Sequence, residues 1–169
     1  MKPGAKAPHR FRPARAGDVP LLATLLTETF AFYGEEPPCP REELESRLAR
    51  HLGADPGFEA ILVETADDEP LGYALFAPVF WTSDCAMGLF LKEIYLRPHA
   101  RGTGLGRALM AELARTAEAR GWTKLVWTVD RPNRSARRFY DSLPGARQLD
   151  KLVYLQAGEA LKRLSAKST

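Results

Sequence analysis

The chain has 169 residues, with 24 lysines and arginines against 21 acids and a formal charge of +3. A hydrophobic fraction of 45% and a charged fraction of 27% describe a soluble globular chain of one ordinary domain, not a disordered one. No apolar run approaches the ~20 residues of a membrane helix, and the opening MKPGAKAPHRFRPA lacks the apolar stretch of a secretory signal.

Residues 1–9 read as a basic tail, residues 166–169 as a flexible end, and 10–165 as one domain without repeats or linkers. Phe11 to Pro13 is a short strand candidate. Asp18 suits the cap of a helix whose Leu21, Leu22, Leu25, Leu26 and Phe30 share one face. The prolines of Tyr33–Pro40 require a loop. A second helix follows over Arg41–Leu52, ended by Gly53. Phe58–Thr65 and Leu71–Trp81 are β-rich runs joined by the turn Asp67-Asp68-Glu69-Pro70, and Leu89–Leu96 is a third. A glycine-punctuated loop, Arg101–Gly106, leads into a helix to about Arg120, with Leu105, Leu109 and Leu113 as its apolar stripe. Lys124–Val129 reads as a strand, Asn133–Leu143 as a helix, Leu149–Leu155 as a last strand and Glu159–Leu164 as a short helix. This alternation implies an α/β layered fold with a partly parallel sheet.

The strand–glycine–helix passage carries the most chemistry. A helix start offers unpaired N–H groups and partial positive charge, which suit an anion. Glycines admit a phosphate to the backbone, and Arg101 and Arg107 add charged donors. A plain surface turn is the competing reading. The dinucleotide pattern G-x-G-x-x-G fails in both frames, because Gly102 and Gly104 lead to Arg107 while Gly104 and Gly106 lead to Leu109. The P-loop fails for want of a Gly-Lys-Ser/Thr. What remains is Arg-x-x-Gly-x-Gly.

That pattern, Arg101-Gly102-Thr103-Gly104-Leu105-Gly106, resembles the acetyl-CoA signature of the GNAT superfamily of N-acetyltransferases. The strand end Ile94-Tyr95-Leu96-Arg97-Pro98 and the later Asn133-Arg134-Ser135-Ala136-Arg137-Arg138-Phe139-Tyr140 resemble the family's neighbouring motifs in the same order. Over about Arg10–Leu164 the chain is most similar to the spermidine/spermine (diamine) N-acetyltransferase-like group. The resemblance implies a three-layer sandwich around a mixed, partly parallel central sheet. It also implies acetyl-CoA as co-substrate and a homodimer, while the scattered histidines imply no metal and the two cysteines suit a reducing cytoplasm.

Carried over residue by residue, Ile94, Tyr95 and Leu96 would pair with the pantetheine arm. The amides of Gly102, Thr103, Gly104, Leu105, Gly106 and Arg107, with Arg101 before them, would hold the pyrophosphate. Asn133 and Ala136 fall at the cofactor helix, although Asn133 equally suits a plain N-cap. Arg134, Arg137 and Arg138 are candidates for the adenosine phosphate or are solvated surface. Tyr140 matches the general acid that protonates the leaving thiolate. A phenol near ~10 and a thiol near ~8.5 make that transfer uphill by roughly 2 kcal/mol. Glu93 is the candidate base for the incoming ammonium, with an ordinary surface carboxylate as the alternative. Alternation places Glu93 and Tyr95 on one strand face, and Lys92, Ile94 and Leu96 on the other.

The acceptor side is expected from Phe32, Tyr33, Glu35, Glu36, Trp81 and Asp84, with Lys92 beside them. Two departures bear on polyamine specificity rather than on acetyl transfer: the group's Leu-Glu-Asp is Leu91-Lys92-Glu93 here, and its Asp-Trp-Asn is Arg131-Pro132-Asn133. The expected reaction moves an acetyl group to the primary amine of a small molecule. A protein lysine or N-terminus as acceptor, and a non-catalytic acyl-CoA-binding module, are the alternatives. Neither nucleic acid nor membrane is expected as a partner. Cys39 and Cys85 form no disulfide framework, and His9, His51 and His99 do not cluster.

The charge is unevenly spread. Seven arginines fall in two acid-free stretches, 97–107 and 131–138, while 28–45 holds six glutamates against one arginine. A basic patch thus suits phosphates and an acidic one suits a cationic amine.

Overall fold

The punctuation of the sequence appears directly in the fold. The computed structural model of the chain describes residues 9–55 and 57–166. The expected end segments fall outside these residues except for His9, which opens a strand, and Ala166, which closes a helix. Strand β1 is His9–Pro13, followed by a single 3-10 turn, Ala16–Asp18, and helices α1, Val19–Tyr33, and α2, Arg41–His51. Then come β2, Glu59–Thr65; β3, Pro70–Trp81; β4, Ala86–Leu96; a second 3-10 turn, Pro98–Ala100; and α3, Leu105–Ala119. Strand β5, Leu125–Trp127, and helices α4, Arg134–Asp141, and α5, Gly158–Ala166, complete the order.

Pro20 stands in the first turn of α1, where its fixed φ is already helical. Gly34, at φ 73°, ends that helix in the left-handed conformation. Asp18 holds the capping position but makes no capping bond. Its carboxylate takes two hydrogen bonds from Arg12, each 2.8 Å, and one from the Arg15 amide at 2.7 Å.

The chain divides between Asp130 and Arg131 into two units. In the first, the five strands form one sheet in the order β1-β2-β3-β4-β5, antiparallel except for the parallel pair β4–β5. This is the mixed α/β sheet expected. Leu22 and Leu25 of α1 and Leu44 and Leu48 of α2 pack with Ala60, Leu62, Tyr73 and Tyr95 on one face. By alternation Ile61, Val63, Ala74 and Phe76 turn the other way. Helix α3 buries Leu105, Leu109, Met110, Leu113 and Ala117 and lies against β4 and β5. No helix among the described residues is long and apolar enough to cross a membrane.

In the second unit, α4 and α5 form as helices, but the strand expected over Leu149–Leu155 does not. A strand exists only within a ladder, and its side chains must bury a face. Leu152 and Leu155 are instead 71% and 86% exposed, and β propensity alone does not order them. The strand expected over Lys124–Val129 is likewise shorter, because its ladder ends at Trp127.

Glu64 is buried, with 2% of its surface exposed, and held by two arginines from β1. Arg12 Nη2 donates to it at 2.7 Å and Arg10 Nη2 at 2.8 Å, while Arg12 also grips Asp18. Burial pushes the Glu64 carboxyl up, and the bonds from Arg12 and Arg10 more than reverse that, leaving it below the ordinary range. Asp18 is lowered chiefly by Arg12, against some burial. Stability from these depressed carboxyls is complete above their unfolded values and is lost as pH falls through the folded ones. Arg12→Ala leaves Glu64 with Arg10 alone. It is expected to cost about 2–3 kcal/mol at pH 7 in urea unfolding. That deficit should shrink below about pH 4, where both acids protonate.

Candidate active site

The site begins where a strand loses one neighbour. Strand β4 pairs with β3 along almost its whole length, from Ala86 to Leu96. Its parallel pairing with β5 is short: Leu89 with Leu125, Phe90 with Val126 and Leu91 with Trp127. Between Leu75 and Phe76 the β3 register shifts, so that Leu75 faces Glu93 while Phe76 faces Leu91. Lys92 is therefore the extra residue of a β-bulge, a device that bends a strand and ends pairing. From there to Leu96 the edge of β4 turned away from β3 has no strand partner among the described residues. The Ile94 N–H on that stretch donates to Glu93 Oε1 at 3.3 Å.

The bulge also settles which side chains share a face. Leu91 pairs with Phe76, on the face turned from α1, whereas Glu93 and Tyr95 pair with Leu75 and Tyr73 on the α1 face. Glu93 and Tyr95 thus share a face, as alternation predicts, and Lys92 is exposed. Burial raises the Glu93 carboxyl above its ordinary value. The Ile94 amide and Lys92 oppose that rise, and Asp130 adds to it.

Near Glu93 stands the end of α1. Phe32 and Tyr33 meet edge to face at 5.2 Å, and Phe32 meets the Tyr95 ring at 6.4 Å. Burial raises the Tyr33 hydroxyl, and the charges of Glu93, Asp130 and Glu35 raise it further against Arg101. Tyr33, Glu35, Glu93 and Asp130 are therefore one electrostatic neighbourhood. Glu36 is exposed in the adjoining loop. Asp130 went unrecognised in the sequence, since only the folded chain brings it to Glu93.

Trp81 and Asp84 are not part of this group. They lie at the far end of the β3–β4 hairpin, six residues beyond the Leu75 that faces Glu93, or about 20 Å along the strand. Asp84 takes the Lys124 ammonium at 2.6 Å and the Thr123 hydroxyl at 2.9 Å. Lys124 also stands 5.7 Å from the Trp81 ring centre. A Cβ at Gly88 would meet Lys124 Cγ at 2.6 Å and Trp81 Nε1 at 2.8 Å, so this packing requires glycine.

The glycine loop follows β4. Gly102 and Gly104 have φ 72° and 85°, and Gly104 is the N-cap of α3. Side chains rarely adopt this conformation, so both glycines are needed for the turn. Thr103 Oγ1 donates to the Ala100 carbonyl at 2.9 Å. The amides of Leu105, Gly106 and Arg107 open the first turn of the helix. The Arg101 side chain leans toward α1: its guanidinium stands 4.1 Å from the Phe32 ring centre.

In the second unit Asn133 caps α4, its Oδ1 accepting from the Ala136 amide at 3.0 Å. The plain capping role is thus present, and it engages both residues expected at the cofactor. Arg137 Nη1 donates to the Arg131 carbonyl at 3.3 Å, and Arg134 and Arg138 are exposed. Tyr140 is half-buried in α4, its ring 5.2 Å from that of Phe139.

Comparison with known proteins agrees with this architecture. Residues 22–143 match the family model described as Acetyltransferase (GNAT) family. A thialysine N-epsilon-acetyltransferase of Sus scrofa is 27% identical over 93% of this chain and 97% of its own. Among solved structures, an integron cassette protein from the mobile metagenome of V. cholerae superposes with TM-score 0.81 at 22% identity, covering 93% of this chain and 97% of that one. A predicted acetyltransferase from Clostridium acetobutylicum, solved with acetyl-CoA, gives TM-score 0.68 at 19% identity, over 87% and 95% of the two chains. The chain belongs to the GNAT acetyltransferase family. It is an N-acetyltransferase.

The environment of Glu93 is directly measurable. In a carbon-13 NMR titration its carboxyl should titrate above the ordinary range, and Asp130→Asn should move the midpoint downward by removing a like charge. An unmoved midpoint would separate Asp130 from the site.

Proposed function

We propose that this N-acetyltransferase takes its acetyl group from acetyl-CoA and passes it to the primary amine of a small, amino-acid-like molecule by direct attack. The observation that carries this reading is the edge of β4 that has no strand partner among the described residues, beside the Glu93 carboxylate. Such an edge suits the amide-bearing pantetheine arm, which can add to it as a short strand. The amides after Gly104 suit a diphosphate. Acetyl-CoA supplies an activated acyl group with a thiolate as leaving group.

The amine must first lose a proton. Between ordinary values for an alkylammonium and a glutamate, that transfer is uphill by about 8 kcal/mol. Every tenfold weakening of the Glu93 acid by burial recovers about 1.4 kcal/mol, so its half-buried position serves the base role. Tyr140 is the acid for the thiolate in this reading, supported by the match of Asn133…Phe139-Tyr140 to the family motif. Tyr33 and Glu35, with Phe32, form the acceptor rim near Glu93. The thialysine-acetylating relative supports an amine of this size.

The same reading takes 10–165 as one acetyltransferase domain, since the family match runs across the boundary between the two units. It also takes the enzyme as a cytoplasmic homodimer. The exposed apolar run Leu152–Leu155 supports the dimer, and the unpaired thiols of Cys39 and Cys85 suit a reducing compartment.

A thiol-release assay with acetyl-CoA against thialysine, lysine, polyamines and peptides tests the acceptor. Release with the small amines and none with peptides is expected, and the reverse pattern would overturn it. Glu93→Gln should lower kcat/KM by about 10²–10⁴ and remove the fall in rate on the acid side, where the base is protonated. Tyr140→Phe should lower kcat with the acetyl-CoA dissociation constant nearly unchanged. An unaltered rate would remove Tyr140 from the acid role.

A further inference from the structure

Two arginines flank the turn Pro98–Ala100, where β4 passes into the glycine loop, and both lean on α1. Arg97 donates from Nε and Nη2 to the two carboxylate oxygens of Glu28 at 3.0 and 2.7 Å. Its Nη1 donates to the Pro70 carbonyl at 2.9 Å, and the Tyr95 hydroxyl donates to Glu28 at 3.4 Å. The pair is bidentate and mostly shielded, the geometry that gives such contacts their strength. Four residues on, the Arg101 guanidinium carbon stands 4.1 Å from the Phe32 ring centre and 5.5 Å from that of Tyr95. Its Nε donates to the Leu96 carbonyl at 2.7 Å.

Glu28 and Phe32 are themselves four apart, one turn of α1 on a common face. The two contacts are successive rungs, each joining a turn of α1 to one side of the β4–loop junction. Phe32 is 53% exposed, so little apolar packing holds it apart from Arg101 and its aromatic neighbours. Arg101 also opposes the acids acting on Tyr33.

We infer that Arg101 is a positioning residue for the acceptor side of the reaction: with the Arg97–Glu28 pair it clamps the end of α1, and so Phe32 and Tyr33, onto β4 beside Glu93. Its side chain serves the acceptor rim rather than the diphosphate. The kinetic consequence rests on the acetyl-transfer reading above; the clamp itself does not.

The test compares Arg101→Gln, Arg101→Lys, Phe32→Leu and the double variant Arg101→Gln/Phe32→Leu. Calorimetry with CoA alone gives its dissociation constant, and hydrogen exchange over 28–36 reports on the end of α1. Thiol-release kinetics with the best acceptor of the panel give KM and kcat. Arg101→Gln should raise the amine KM about fivefold, the size of an exposed cation–π contact. It should also speed exchange over 28–36 and leave CoA binding within about twofold. Phe32→Leu should do the same, the double variant should be no worse than either single one, and Arg101→Lys should restore part of the loss. CoA binding weakened about tenfold with unchanged exchange would overturn the inference and make Arg101 a phosphate ligand. If no amine turns over, the acetyl-transfer reading fails, while exchange and CoA binding still decide the clamp.

Discussion

The parallel pairing of β4 with β5 stops after Leu91, and the arrangement of the site depends on that stop. A strand held on one side only keeps a row of backbone donors and acceptors in extended form, which free chain would not do. Here β3 supplies the holding, and the bulge at Lys92 ends the other ladder. The same bulge turns Leu91 toward one face and Glu93 toward the other, so that backbone edge and carboxylate come together from one irregularity. The glycine loop then follows at the end of the strand, with Gly102 and Gly104 in conformations that turn the chain into α3.

Charge is organised around this edge. Glu35, Glu93 and Asp130 act together on Tyr33, and they make the surroundings of Glu93 electronegative. Glu28 belongs to the same acidic stretch but is taken up by Arg97. Of the six glutamates in 28–45, Glu35 acts on Tyr33 and Glu28 is held by Arg97, while Glu43 and Glu45 pair with Arg47 and Arg41 on α2. Arg97 and Arg101 likewise leave the basic stretch to engage α1.

Much of the fold was legible in the sequence. Prolines 37, 38 and 40 and glycines 34, 53 and 121 bound the helices where local chemistry demands it, and the stripe of Leu105, Leu109 and Leu113 is buried as its period implies. Glu93 was legible as an acid on the strand before the glycines. The bulge at Lys92 was not, because nothing in Leu91-Lys92-Glu93 marks which residue the partner strand skips. Asp130 and the direction of Arg101 depend on contacts between distant segments. Glu28 did carry a signal, its spacing of one turn from Phe32. Leu149–Leu155 shows the converse: a convincing β pattern that lacks a ladder stays irregular.

Three residue pairs are a short ladder to hold a parallel strand in register. Strand β5 is tied further by Thr123 N–H to the Met87 carbonyl at 2.9 Å, and by Lys124 and Thr123 to Asp84 at the hairpin tip. Trp81 lies against Lys124 there, over Gly88. A slip of β5 by two residues toward Glu93 would carry its pairing over the open edge. The hairpin tip thus helps to hold β5 in the register that leaves the β4 edge open, about 20 Å from Glu93. Sequence change at that remote tip would loosen the register that leaves the β4 edge open beside Glu93.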